Sequence, residues 1–513
     1  MRFNKSMLNL ISSWFGQIFL MFVTLFSRRV FLETLGEEYL GISGLFSNVL
    51  SILSLAELGI GSAINYSLYK PLAQNDIATI KSLMGFYKKV YKVIGTAVIG
   101  LGIGIIPLLG HIVSEISEYE YIYIYYILFV LNTAVSYFYS YKSTLIIANQ
   151  EKIIYSVNHY FWLVILNIIQ IIVLRVFRNY MIYLVLQVIF TLVENFSIAK
   201  IADIRFPYLR DDNIQPINKI TLAKIKKDTV AATLDKIGSV MVTATDNIIM
   251  SSYISIAVTG LYSSYAYVIS SVGSIFRQIF LALQASVGDY GVTVETGKRE
   301  SIFDIVSYVG FIFCSFATVC LLYLLTPFVR IWLGERYILD TRSVVLIVIV
   351  FYLSGIRQSQ LVFIQALGLF WQHRYKAVIE GMINLIISII GVNVMGFNGI
   401  FLGTLVSSFV AGFIIEPYVL YKYGLEDKTY KFVIKQIKYS STLLIIVGVI
   451  SCANKVLQLK IASLGEMFIE FFVCAIICFI VNIFIWRNTV EYKSCKGYVV
   501  RWVVSKKYSK KLK

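Results

Sequence analysis

The sequence predicts an all-α integral membrane protein with about fourteen transmembrane helices. Of the 513 residues, 58% are hydrophobic and only 15% are charged, and the mean hydropathy of +0.75 lies outside the range of water-soluble globular proteins. About fourteen apolar stretches are long enough to cross a bilayer, because about 20 helical residues at 1.5 Å each span its hydrocarbon core. Most of the basic residues lie between these stretches.

The apolar stretches follow one another along the whole chain. The first has no small-residue cleavage site after it, so we interpret it as a retained span and not as a signal peptide. The predicted spans are 7–26, 42–66, 90–110, 121–147, 153–174, 181–199, 230–252, 257–285, 302–325, 344–366, 377–395, 400–419, 440–457 and 467–486.

The distribution of lysine and arginine predicts the orientation of these spans. With a cytosolic N-terminus, the cytosolic segments hold 33 of the 46 basic residues and the external segments 9, if Lys92 and Lys455 are counted with the loops that they border. This asymmetry obeys the positive-inside rule, so we expect both termini in the cytosol. Most of the net charge of +17 then lies beside anionic membrane lipid, and it does not indicate binding to nucleic acid.

The sequence lacks the motifs of soluble enzymes and metal proteins. It contains no GxxxxGK[ST], HExxH or GxSxG pattern, and its six cysteines form no CxxC pair. Its three histidines are far apart along the chain, so we predict neither disulfide bonds nor a metal site. We therefore expect a protein that is not an enzyme and holds no cofactor.

A weak internal repeat divides the chain. Residues 44–48, GLFSN, recur as GLYSS at 260–264, and the same offset aligns Ser54 with Ser270 and Gly61 with Arg277. The copies lie in the second and eighth spans, an even offset of six, so both halves have the same orientation, as in a parallel repeat. We predict a six-helix lobe over 1–200, a cytosolic linker over 201–228, a second six-helix lobe over 229–422, and two extra helices with a basic tail over 423–513.

A polar stripe runs along one face of the second span. We predict this span as one continuous helix over 42–66. Its members recur every three or four residues, and therefore share one helix face. Lipid cannot solvate such a stripe, so we expect it to face protein or a water-filled cavity, with Ser47 and Ser54 as substrate contacts. Glu57 either binds a proton or Na⁺ or serves hydrogen bonding between the lobes alone. The stripe comprises Ser43, Ser47, Ser51, Ser54, Glu57, Gly61 and Asn65.

The eighth span carries a second stripe with an arginine in its middle. Ser270, Ser274 and Arg277 follow one another at steps of four and three. On insertion scales an arginine at a helix centre costs about 2.5 to 3.5 kcal/mol, so we expect Arg277 to face the interior with an anionic partner. That partner is either a substrate anion or a buried carboxylate such as Asp246 or Glu57.

Further charged residues lie within or near the spans. Asp235 and Asp246 share one face of the seventh span, where they either bind a proton or Na⁺ or serve hydrogen bonding and solvation alone. Arg357 and Lys142 add cations at membrane depth. Arg29, at the outer end of the first span, is a further candidate ligand, or it anchors that helix at the lipid headgroups.

Several short motifs are typical of one transporter family. They are GLFSNVL at 44–50, AELGIG at 56–61, YKPLA at 69–73, YKKVY at 87–91, DNIIMS at 246–251 and GLYS at 260–263. With these motifs the chain resembles the polysaccharide transporter family, the Wzx-type oligosaccharide-lipid flippases, over essentially its whole length. That family belongs with the MATE drug exporters and lipid II flippases in the MOP superfamily. Met250 stands where the family often has a smaller aliphatic residue.

The resemblance implies a V-shaped, alternating-access transporter of the bacterial cytoplasmic membrane. Its cargo would be an undecaprenyl-pyrophosphate-linked oligosaccharide repeat unit for capsule, exopolysaccharide or O-antigen synthesis, with a polysaccharide polymerase and chain-length proteins as partners and H⁺ or Na⁺ as coupling ions. Such a cargo carries many hydroxyl groups and an anionic head, which are costly to move through lipid unpaired. A cavity with hydroxyl groups for the sugar and arginines for the pyrophosphate removes most of that cost.

Two other functions stay open. A MATE-like exporter of cationic drugs would call for an acidic or aromatic lining, whereas Arg277, Arg357 and Lys142 favour an anionic cargo. A membrane-embedded polysaccharide polymerase or ligase would call for large extramembrane loops with catalytic groups, and the external loops predicted here are short.

Overall fold

The computed structural model describes residues 2–57, 60–112, 120–149, 151–210, 216–293, 296–457 and 461–497. Every regular element in these ranges is a helix. The α-helices are α1 (Arg2–Leu35), α2 (Glu37–Leu53), α3 (Ile60–Gln74), α4 (Ile77–Ile112), α5 (Ile122–Ala148), α6 (Lys152–Phe177), α7 (Tyr180–Arg205), α8 (Lys219–Tyr253), α9 (Ile256–Thr293), α10 (Thr296–Leu333), α11 (Thr341–Ile356), α12 (Gln358–Ala366), α13 (Phe370–His373), α14 (Lys376–Met395), α15 (Phe397–Val410), α16 (Glu416–Leu420), α17 (Tyr430–Leu457) and α18 (Leu464–Trp486). Short 3₁₀ segments occur at Ser54–Glu57, Pro207–Arg210 and Glu335–Tyr337, and π-helical turns occur at Ala411–Ile415 and Tyr421–Leu425.

The chain is a multi-pass membrane protein. In its described part, ten helical segments are long and apolar enough to cross a membrane, and they coincide with the third to sixth and the ninth to fourteenth predicted spans. These segments are Ile77–Gly110, Ile122–Ala148, Ile153–Phe177, Tyr180–Arg205, Arg299–Leu333, Thr341–Ala366, Trp371–Met395, Phe397–Leu425, Tyr430–Val456 and Leu464–Trp486. The other four predicted spans fall on α1, on α2 with α3, on α8 and on α9. The second and eighth spans carry the polar stripes, and the seventh carries Asp235 and Asp246, so polar residues lower the mean hydropathy of these three.

The prediction of one continuous helix over 42–66 is wrong. Helix α2 ends at Leu53, the 3₁₀ segment Ser54–Glu57 follows, and α3 begins at Ile60. The Ser54 hydroxyl donates to the Ser51 carbonyl oxygen at 2.6 Å. Bonds of this kind bend helices, and Gly59 and Gly61 directly afterwards are poor helix formers. The polar stripe is therefore interrupted at Glu57.

The chain forms two compact units. The first unit comprises residues 1–264 and 377–400, and the second unit comprises 265–376 and 401–513. In the first unit α8 packs on α2 and α3, and α5 packs on α4 and α7. In the second unit α10 packs on α11, α17 and α18. The four-part division predicted from the sequence stays a prediction.

Aromatic side chains fill the core of the second unit where α10, α17 and α18 meet. The rings of Phe311 and Tyr439 stack with centroids 4.5 Å apart, and Trp486 lies 5.1 Å from Tyr439. The Trp486 indole nitrogen donates to the Thr442 hydroxyl oxygen at 3.3 Å, so its polar atom is satisfied although the ring is buried. The two C-terminal helices are therefore an integral part of this unit.

The orientation of the spans gives the first testable prediction. Because basic residues are concentrated in the predicted cytosolic loops, a green fluorescent protein fused after Lys513 should fluoresce, and alkaline phosphatase fused there should be inactive. Fusions at Gly334, between α10 and α11, should give the opposite pair of signals. Active phosphatase after Lys513 would reverse the assignment of every loop.

Candidate functional site

A polar cavity of about 200 Å³ lies beside α2 in the first unit. Each α2 hydroxyl that lines it donates to a carbonyl oxygen of its own helix, Ser47 to Ser43 at 2.7 Å and Ser51 to Ser47 at 2.8 Å. Their hydroxyl oxygens therefore remain available as acceptors. We call this space the serine cavity; its lining residues are Ser47, Leu50, Ser51, Ser54, Phe129, Asn132, Thr133 and Gln187.

Two side-chain amides complement these hydroxyl groups. Asn132 extends from α5 and Gln187 from α7, and both line the serine cavity. The Oδ1 atom of Asn132 is buried and has no hydrogen-bond partner among the described residues. Amides supply both donors and acceptors, so the cavity is equipped to bind a ligand with many hydroxyl groups.

The interruption after α2 brings Glu57 into an ion pair. Its Oε2 atom lies 2.7 Å from the Lys236 amino group on α8, and its Oε1 atom accepts a hydrogen bond from the Tyr91 hydroxyl on α4. The Tyr87 hydroxyl in turn donates to the Tyr91 hydroxyl oxygen at 3.0 Å. Glu57, Tyr87, Tyr91 and Lys236 form the Glu57 cluster. Its carboxylate is half-buried, and Lys236 is a partner that the sequence analysis did not assign to it.

Glycine at position 61 makes room for this cluster. A Cβ atom there would lie 2.6 Å from both the Glu57 Oε1 atom and the Tyr91 hydroxyl oxygen. Contacts this short would push the carboxylate away from its partners. The glycine therefore permits the close approach that the cluster needs.

Arg28 points into the first unit, whereas Arg29 lies on its surface. The Arg28 guanidinium donates to the Ser263 and Ser264 hydroxyl oxygens of α9, at 3.1 Å for Nε to Ser264. Arg29 is 51% exposed at its side chain and pairs with Glu33 one helical turn away. Arg29 was the candidate ligand predicted from the sequence, whereas Arg28 was not predicted.

Lys142 has a carboxylate partner. Its amino group on α5 lies 2.7 Å and 2.6 Å from the two oxygens of Asp203 on α7. Both side chains are largely buried, at 17% and 23% exposure. The pair joins two neighbouring helices of the first unit, and the predicted role of Lys142 in substrate binding stays a prediction.

The two predicted ion-binding aspartates lie on α8. Asp246 is half-buried, and the neighbouring Thr245 hydroxyl donates to the Asn384 Oδ1 atom on α14 at 3.4 Å. A glycine at 238 lets α14 approach, because a Cβ atom there would lie 2.1 Å from the Ala377 carbonyl carbon. The side chain of Asp235 lies outside the described residues. The ion-binding roles of both aspartates stay predictions.

In the second unit, Arg277 is exposed on α9. Ser270 and Ser274 precede it on the same helix face, exposed and half-buried. No carboxylate among the described residues forms an ion pair with Arg277. Glu57, one of the carboxylates predicted from the sequence as a partner for Arg277, is instead paired with Lys236.

Arg357 lies in a buried ion cluster of the second unit, at the junction of α11 and α12. Its Nη2 atom is 2.6 Å and its Nε atom 3.2 Å from the two oxygens of Glu416, which is fully buried. The Lys376 amino group lies 3.2 Å from the same carboxylate, and the His373 Nε2 atom lies 3.9 Å from it. These four residues form the Glu416 cluster.

Local distortion of the helix positions the Glu416 carboxylate. Glu416 begins a short helix between two π-helical turns, Ala411–Ile415 and Tyr421–Leu425, and Pro417 follows it. The aliphatic part of the Arg357 side chain packs on Gly412. A Cβ atom at position 412 would lie 2.5 Å from the Cγ and Cδ atoms of Arg357. Glu416 was not among the residues predicted from the sequence, although a lone carboxylate in an apolar run indicates a buried partner.

Solved structures of membrane transporters share this fold. The lipid II flippase MurJ, in an inward closed conformation, covers 94% of this chain and 100% of its own with a TM-score of 0.66 and 16% identity. An inward-facing multidrug resistance MATE family transporter of the MOP superfamily covers 80% of this chain and 98% of its own, with a TM-score of 0.63 and 12% identity.

The chain has the fold of MOP-superfamily transporters. A mutant of the Vibrio cholerae MATE transporter VcmN agrees with this result, with a TM-score of 0.60 and 14% identity over 82% of this chain and 98% of its own. No family model and no curated protein sequence matches the chain. The likeness is therefore one of three-dimensional structure, and the fold class predicted from the sequence is confirmed.

Proposed function

We propose that this protein is a flippase for polyprenyl-pyrophosphate-linked oligosaccharides, which it moves across the bacterial cytoplasmic membrane by alternating access. The observation that carries the proposal is Arg277, an exposed cation on a predicted membrane span with no carboxylate partner among the described residues. A guanidinium binds a pyrophosphate through two parallel charge-assisted hydrogen bonds. Ser270 and Ser274 on the same face offer additional hydroxyl groups.

The serine cavity, which lies in the first unit, is a separate observation that supports a cargo rich in hydroxyl groups, such as a sugar. Its hydroxyl oxygens and amides can accept from and donate to sugar hydroxyl groups, which would otherwise lose their hydrogen bonds on leaving water. Within this proposal Ser47 and Ser54 contact the glycan. Arg28, which already bonds to two hydroxyl groups, is a second candidate for the anionic head.

Arg357 and Lys142 contribute less to this proposal. Each is paired with a carboxylate of its own unit, so binding a substrate anion would require giving up that pair. Arg29 has Glu33 beside it. We therefore assign the pyrophosphate first to Arg277.

The likeness to MurJ supports a lipid-linked cargo over a drug. That structure, named a lipid II flippase, covers 94% of this chain, whereas the two MATE transporters cover 80% and 82%. The shared transporter fold also argues against a polymerase or ligase.

A MATE-like, cation-coupled drug exporter is the second candidate. The Glu57 cluster favours it, because the half-buried Glu57 carboxylate could exchange its Lys236 partner for a transported cation. Uptake of radiolabelled cationic drugs into everted vesicles separates the two functions. If the protein is a flippase, vesicles that contain it should take up no more drug than vesicles without it.

Inactivation of the protein in the cells that carry it tests the proposal. We expect lipid-linked oligosaccharide repeat units to accumulate on the cytosolic leaflet, with less surface polysaccharide. Normal translocation together with shortened polymer would support a polymerase or ligase in its place.

The proposed coupling gives a second prediction. If the carboxylates of Glu57 and Asp246 exchange H⁺ or Na⁺, then Glu57→Gln and Asp246→Asn should each remove the dependence of transport on the ion gradient. Transport in proteoliposomes with and without an imposed gradient measures this effect. Glu335→Gln, at a side chain that is 81% exposed, is the control and should behave as wild type. Unchanged gradient dependence in both variants would leave Glu57 and Asp246 with structural roles alone.

A further inference from the structure

Glu470 is a fully buried carboxylate on α18 whose hydrogen-bond partners are both uncharged. The Asn454 amide nitrogen on α17 donates to its Oε1 atom at 2.7 Å, and the Cys474 thiol donates to the same oxygen at 3.7 Å. The Oε2 atom is buried as well, and it has no hydrogen-bond partner among the described residues. One oxygen of this carboxylate is thus satisfied and the other is not.

Two other carboxylates in the described part of the second unit, the buried Glu416 and the largely buried Asp304, have cations beside them. Glu416 pairs with Arg357 and Lys376, and Asp304 pairs with Lys435. An ionised carboxylate without such a partner is very costly to bury. Glu470 therefore needs a positive charge that these side chains do not provide.

A second acceptor oxygen lies in the same place. The Asn454 Oδ1 atom is buried and has no hydrogen-bond partner in the described part of the chain. If the amide were turned over, its oxygen would face the Glu470 carboxylate, and the two acceptors would need a proton between them. Either orientation of the amide leaves acceptors that a small cation would satisfy.

The titratable groups around Glu470 come from three helices. Helix α10 contributes Cys320 and Tyr323, and α18 contributes Cys474 with Cys478 beside it, whereas α17 carries Cys452 and Lys455 next to Asn454 in the sequence, both exposed. The Tyr323 hydroxyl donates to the Val447 carbonyl oxygen at 2.8 Å, so its proton is already engaged. Lys455 forms no ion pair with Glu470 in the described part of the chain. These groups leave the carboxylate uncompensated.

We propose that Glu470 and Asn454 bind a small monovalent cation, either a proton on Oε2 or Na⁺ held by Oε2 and the Asn454 Oδ1 atom. Glu470 lies six residues after the start of α18, about 9 Å along the helix axis. In the predicted orientation this end of α18 faces the outside. A cation would therefore enter from the external solution. The site depends neither on the cargo nor on Glu57 and Asp246.

Difference infrared spectroscopy of the full-length protein in lipid tests the proton. Between low and high pH, the wild type should show the carbonyl stretch of a protonated carboxyl group, and Glu470→Gln should lose that band. Cys474→Ser is the matched control, since it lies one turn away and keeps a donor to Oε1, and it should retain the band. Asn454→Leu removes the amide that donates to Oε1, so it should change the frequency or intensity of that band.

Binding of ²²Na⁺ to the same proteins tests the metal ion. If the site holds Na⁺, the wild type and Cys474→Ser should both bind ²²Na⁺ saturably. The affinity of Glu470→Gln for ²²Na⁺ should be at least about tenfold lower. If Glu470→Gln does not fold, the Asn454→Leu variant decides, because either cation requires its affinity to change. Identical spectra and identical Na⁺ binding in the wild type and in the folded variants would overturn the proposal, and Glu470 would be a packing contact alone.

Discussion

Arg277→Ala is expected to abolish translocation of the lipid-linked glycan while the protein stays folded in the membrane. The guanidinium is exposed and has no ion-pair partner among the described residues, so its removal leaves no carboxylate of the described chain unpaired. The loss should therefore appear in transport and not in stability. Arg277→Lys should be partly active, because an ammonium group keeps the charge but cannot form two parallel hydrogen bonds with a pyrophosphate.

Accumulation of lipid-linked repeat units on the cytosolic leaflet, at matched protein level, measures this effect. Arg342→Ala is the matched control: it removes an exposed arginine of the same unit at the start of α11, and it should transport normally. Normal export by Arg277→Ala would remove Arg277 from the proposal. If the Arg277→Ala, Asp246→Asn double variant recovers transport, Arg277 only neutralises the charge of Asp246. That result would also remove Arg277 from the proposal.

Arg357→Ala should cause the largest loss of stability. It removes two hydrogen bonds from the fully buried Glu416 carboxylate and leaves Lys376 as its remaining close cation. Breaking a buried ion pair by deleting one partner costs about 3 to 5 kcal/mol of unfolding free energy. Thermal unfolding of the purified protein in detergent should show a markedly lower midpoint.

Two further variants separate stability from substrate binding at Arg357. Arg330→Ala removes an arginine whose partner, Glu335, is 81% exposed at its side chain, and it should cost no more than about 1 kcal/mol. The double variant Arg357→Met, Glu416→Leu should recover part of the lost stability, because it removes both buried charges together. A stable double variant that cannot transport would contradict a purely structural role for Arg357.

The fold was predictable because apolar spans and basic loops recur over the whole chain. Each of the ten apolar segments falls on a predicted span, since about 20 consecutive apolar residues have few alternatives to a membrane helix. The break after Leu53 was not predictable from periodicity, because the steps of three and four residues continue across it. The hydrogen bond from the Ser54 hydroxyl to the Ser51 carbonyl oxygen favours the break there.

The individual sites were harder to predict than the spans. The sequence indicated that Glu57 and Arg277 need polar surroundings, but the pair of Glu57 with Lys236 joins residues on different helices far apart in the chain. Arg28 and Arg29 are adjacent, and only the rotation of α1 decides which of them meets Ser263 and Ser264. Glu416 stands alone in an apolar run, and Glu470 has only Glu466 four residues before it at the helix start, so no polar stripe identified either of them.

The most direct test of the account is translocation by the purified protein in proteoliposomes that contain a fluorescent polyprenyl-pyrophosphate oligosaccharide. A membrane-impermeant quencher reports which leaflet holds the labelled sugar. We predict that wild-type protein makes the inner-leaflet pool accessible much faster than empty liposomes do, that Arg277→Ala does not, and that Arg342→Ala behaves as wild type. Quenching at the rate of empty liposomes with wild-type protein, under an imposed H⁺ or Na⁺ gradient of either direction, would contradict the proposed function.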